Sequence, residues 1–63
     1  MANLRLVDPD GYTVPGTVHT DIPTANEPKV RVLLQDAAVT DAAKWADVGH
    51  HPNDYRIVPD PAA

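Results

Sequence analysis

Cysteine is absent from all 63 residues, and this limits the folds open to the chain more than any other feature. Scaffolds below ~70–80 residues ordinarily reinforce their core with disulfides, a structural metal or a partner. Here the disulfide is excluded, and a thiolate metal site with it. The core must then come from 8 Val, 4 Leu, 2 Ile, one Trp and two Tyr, with no Phe. Nine Ala raise the apolar fraction but bury little area each. A domain of this size buries only about 60% of the surface its unfolded chain exposes. A partner surface is therefore the expected further source of stability.

The chain reads as one small domain spanning residues 1–63. The first stretch, "NLRLVDPDGYTV", has the pattern of strand, turn and strand. Leu4 and Leu6 alternate with Asn3 and Arg5, the period of a half-buried strand. Asp8-Pro9-Asp10-Gly11 supplies turn chemistry. Tyr12, Val14 and Val18 make the expected second arm of an N-terminal hairpin, kinked at Pro15-Gly16 because proline interrupts a ladder. Residues 20–28, "TDIPTANEP", read as a proline-containing connector, ordered where Ile22 packs.

"NEPKVRVLLQDAA" fits two templates. As a helix over about 27–37, Val30, Leu33, Leu34, Ala37 and Ala38 share one face, with Asn26 as N-cap and Glu27 and Pro28 in the first turn. As a strand over 29–35, Val30, Val32 and Leu34 face one way, and the protein would be mostly β. The capping residues favour the helix. A second helix is expected over about 41–48, with Thr40 as N-cap, Asp41 at the positive end of the dipole and Gly49 at C′. Trp45 anchors it, either in the core or at an interface. "DYRIV" returns to alternation as a C-terminal strand, followed by an extended or frayed tail over 59–63. The expected class is α+β.

The chemistry-bearing residues are few. His50 and His51 follow the helix stop, where a cationic side chain complements the dipole, and Pro52 forbids continuation. Neighbouring residues in an extended segment point in opposite directions, so the pair is a poor chelator; no metal and no cofactor is expected. The chain contains neither Cys nor Ser, and no HExxH, GxSxG, GxxxxGK[ST] or GxGxxG sequence. A non-enzymatic protein is the expectation. A net charge of −4 argues against nucleic acid. No apolar run reaches the ~20 residues of a membrane span, and "MANLRLVDPDG" lacks the pattern of a signal peptide, so a cytoplasmic chain without membrane association is expected.

The hairpin "LRLVDPDGYTVPG" followed by a V-x-x-LL helix resembles small accessory proteins of tailed bacteriophages, some of which decorate or staple capsids. The Ala-, Val-, Asp- and Pro-rich vocabulary is similar too. The resemblance implies a virion component, a decoration or minor head protein bound to a larger assembly such as the major capsid protein or to further copies of itself. The alternative is a small acidic regulatory binder, an inhibitor or antitoxin-like module, of a host protein. In either case the expected partner-contacting residues are Trp45, Ile22, Pro23, Pro28 and Tyr55, with residues 20–28 and the tail lying as arms across the neighbour.

Overall fold

A computed structural model describes residues 2–59. It is an α+β domain in which one long helix packs on a three-stranded antiparallel sheet. Strand β1 (Ala2–Val7) is central, with β2 (His19–Ile22) on one side and β3 (Arg56–Pro59) on the other. Helix α1 (Glu27–Lys44) crosses between the outer strands in sequence.

The alternation of Leu4 and Leu6 puts both side chains on the helix-facing side of β1, where both are buried. The Asp8–Gly11 turn forms as its residues suggest. Asp8 Oδ1 accepts the N–H groups of Asp10 at 3.0 Å and Tyr12 at 2.9 Å, and the Asp8 carbonyl accepts from Gly11.

The hairpin's expected second arm does not form a strand. It makes a single bridge, Thr13 to Val7, held by two bonds of 2.9 Å: Asp8 N–H to the Tyr12 carbonyl and Val14 N–H to the Leu6 carbonyl. Pro15 then has no N–H to give, and the chain turns. Buried Thr17 completes this part of β1: its hydroxyl accepts from the Leu6 N–H at 3.3 Å and donates to the Val14 carbonyl at 2.6 Å.

Regular pairing resumes only at β2, which runs into the segment expected to be a connector. The register shifts between Ala2↔Ile22 and Leu4↔His19, so β2 carries an extra residue. Asp21 takes the left-handed conformation at φ 55°, and the Asn3 side chain accepts its N–H at 2.8 Å. A bulge of this kind tolerates Asp because its short polar side chain suits that region. Residues 20–28 are thus built into the fold, as a strand end, a 3₁₀ turn (Thr24–Asn26) and the start of α1.

The two expected helices are one. Nothing between Ala37 and Asp41 breaks a helix, and α1 runs unbroken through Thr40, which caps nothing. Asp41 lies in its last turn rather than its first. At the start, Asn26 occupies the cap position without a side-chain hydrogen bond, while Glu27 and Pro28 hold the first turn as expected. The strand alternative for residues 29–35 is overturned.

Val30, Leu34, Ala38 and Ala42, spaced by four, form the row that meets the sheet. Ala38 and Ala42 are small, which lets the helix approach β1 closely. Leu33, expected on this face, lies on the outer one with Val32 and Val39. The core joins Leu4, Leu6, Val14, Ile22 and Tyr55 to that row. Beyond α1, Gly49 at φ 89° closes a 3₁₀ turn (Ala46–Val48) with the paired bonds of a Schellman end: Gly49 N–H to Ala46 O at 3.0 Å, and His50 N–H to Trp45 O at 3.2 Å. Pro59, expected to begin the tail, pairs with Leu4 as the end of β3. The remainder of the tail lies outside the described residues.

Candidate functional site

The Asp8–Pro15 segment and the C-terminal end of α1 enclose an open groove of about 500 Å³. Trp45 stands in it, 51% exposed, with Val48 and Tyr12, both exposed, and the Val14 and Pro15 side chains. This overturns the core reading of Trp45. The helix does not need it, because the row from Val30 to Ala42 already supplies the contact with the sheet.

Beside Trp45 lies a row of hydrogen bonds that joins four parts of the chain. The Tyr55 hydroxyl donates to Asp41 Oδ2 at 2.6 Å. The Tyr55 hydroxyl oxygen also lies 3.1 Å from His50 Nδ1. Having spent its proton on Asp41, it accepts from Nδ1–H, which assigns a proton to that ring nitrogen. His50 Nε2 faces Asp10 Oδ2 at 3.2 Å. A carboxylate can only accept, so this last contact is a hydrogen bond in the doubly protonated ring. The imidazole, 9% exposed, sits between the rings of Trp45 (centroids 6.2 Å apart) and Tyr55 (6.0 Å, edge-on).

Burial above all pushes the Tyr55 phenol well above its ordinary value. The hydrogen bond to Asp41 and the charges of Asp41, Asp8 and Asp10 act in the same direction. The phenol therefore stays neutral and able to donate. Among the described residues no buried side-chain nitrogen or oxygen lacks a partner. The work of the row is to fix the Asp8–Gly11 turn, the helix end and the start of β3 against one another. What it leaves facing the groove is charge: Asp8, Asp10 and Asp41 line it with His50, and no lysine or arginine does.

The two histidines part: the His50 ring meets the Tyr55 hydroxyl and Asp10 rather than the last carbonyls of α1. His51 Nδ1 instead accepts the Asn53 N–H at 3.2 Å, capping the 3₁₀ turn Pro52–Asp54. No group of three or more His, Asp or Glu side chains is arranged to hold a metal ion among the described residues. No helix among them is long and apolar enough to cross a membrane.

The residues expected to contact a partner do not form one surface. Ile22 is 4% exposed and Tyr55 8%, both in the core. Pro23 and Pro28 are exposed but flank the start of α1, about 25 Å along its axis from Trp45 at 1.5 Å per residue. Trp45 alone lies in the groove. Sequence reasoning missed Asp10, Asp41 and Tyr12 as its companions. Asp10 and His50 stand 40 positions apart, with nothing in spacing or pattern to connect them.

Comparisons of the chain with protein-family models, with curated proteins and with solved structures gave no match.

Proposed function

We propose that this protein is a non-enzymatic binding module that docks on a larger protein through the Trp45 groove. The observation that carries the reading is the exposure of Trp45 together with Val48 and Tyr12 in one groove. Trp and Tyr are enriched at the energetic centres of interfaces, where they give large contact area at little entropic cost. A chain with so few large apolar residues leaves three of them in water at one place, and a partner that covers them gains the stabilisation its own core lacks.

The narrower form of the proposal is an accessory component of a bacteriophage virion, a capsid decoration or minor head protein, which is the role the sequence resemblance implies. The acidic lining of the groove favours one other reading, a regulatory binder that masks a basic site on a host protein. Sedimentation of purified particles from producing cells separates the two. A virion component travels with the particles in stoichiometric amount, and Trp45→Ala leaves it in the supernatant. A regulatory binder remains in the soluble fraction in a defined complex that Trp45→Ala dissolves. Association indifferent to Trp45→Ala, in either fraction, overturns docking through the groove.

A further inference from the structure

We propose that the groove's occupant is an arginine-bearing segment of the partner protein. The inference rests on the docking reading above and adds the chemistry of what is recognised. Three carboxylates, Asp8, Asp10 and Asp41, line the groove against one imidazole. Two cations stand at its edges: Arg5 donates to the hydroxyl of Thr13, which lines the groove, and Lys44 lines the neighbouring depression, which shares Val14, Pro15 and Asp41 with it. The three carboxylates outnumber them, so the groove carries negative charge beside an exposed indole.

That pairing selects a guanidinium. Its planar face stacks on an indole, its fork of N–H donors matches carboxylates, and its apolar stem lies along apolar surface. Trp45, Val48 and Pro15 supply the groove's exposed aromatic and apolar lining. Asp10 keeps a largely exposed carboxylate on the rim. Asp8 is held in place by the two backbone N–H groups that its Oδ1 accepts, so its position is set before a ligand arrives. An ammonium lacks both the plane and the fork, and a neutral side chain gains nothing from the carboxylates.

Trp45 is the chain's sole tryptophan, so its emission reports on the groove directly. The probes are a short capped peptide carrying two arginines and its citrulline counterpart, which has nearly the same shape and no charge. The arginine peptide should change Trp45 emission saturably, at least about fivefold more tightly than the citrulline peptide. Added salt should weaken it, as it does exposed charge pairs. The Asp8→Asn/Asp10→Asn double variant keeps the turn's acceptor oxygens and should lower the affinity about fivefold, the combined scale of two exposed pairs. Equal titration by the two peptides, or no saturable change with the arginine peptide up to about 1 mM, a very weak limit, overturns the assignment. The peptide comparison is made on the unaltered protein, so it decides even if the double variant fails to fold. Particle or complex association that needs Trp45 but is unmoved by Asp8→Asn/Asp10→Asn removes the arginine and leaves the docking reading in place.

Discussion

The Tyr55 hydroxyl has two obligations, donating to Asp41 and accepting from His50, and it meets them only while it keeps its proton. Burial, then Asp41, then the other nearby carboxylates hold that proton more tightly than in the unfolded chain, where a tyrosine ionises near pH ~10. A group whose folded value is raised contributes stability that is complete below the unfolded value and is lost as pH rises above it. The protein should therefore lose stability above pH ~10. In a Tyr12→Phe variant Tyr55 is the remaining tyrosine. Its tyrosinate absorbance should stay absent through the ordinary range and emerge together with the loss of helical circular dichroism. Ionisation near pH ~10 in a folded protein would show that the phenol is not held as described.

At the scale of elements, the end of the 3₁₀ turn that follows α1 is set by one backbone conformation. Gly49 lies at φ 89° with nothing near where a Cβ would point, so a substitution there meets strain from the backbone alone. Gly49→Ala should lower unfolding free energy by about 1–2 kcal/mol, and Gly49→Asn by less, because Asn tolerates the left-handed region better. Denaturant unfolding of the three proteins gives the order. That glycine was legible in the sequence, as were β1, the Asp8–Gly11 turn, the helix start at Glu27 and Pro28, and the C-terminal strand, because each is written in local chemistry. The continuity of α1 was not. Thr40 and Asp41 make a credible cap, but a cap acts only where the chain has left the helix, and no breaker makes it leave. β2 was hidden for the opposite reason. His19–Ile22 has little strand pattern of its own and pairs because Pro15 delays it and Asn3 receives its bulge.

For the whole molecule, the division between core and surface can be measured by two truncations. Leu34 is 1% exposed at the centre of the helix–sheet contact, and Leu34→Ala should cost about 2–5 kcal/mol, a large share of what a small domain possesses. Trp45→Ala should cost about 1 kcal/mol, the centre of the range for point substitutions. Urea unfolding of both variants gives the comparison, and the reverse order would return Trp45 to the core. Sequence composition made Trp45 the natural anchor, since it is the largest apolar side chain present. Only the packing of Ala38 and Ala42 against β1 shows that the anchor was not required. The groove was illegible for a related reason: its walls come from two segments that only the completed fold brings together. That same separation governs how the protein emerges from the ribosome. The central strand is made well before its neighbour β3, and its Leu4 must wait for Pro59, so the nascent chain carries β1 with one edge open while the residues between them are made. Pairing across so long a stretch of sequence is slow to nucleate, and the sheet closes only after residues 56–59 have cleared the exit tunnel.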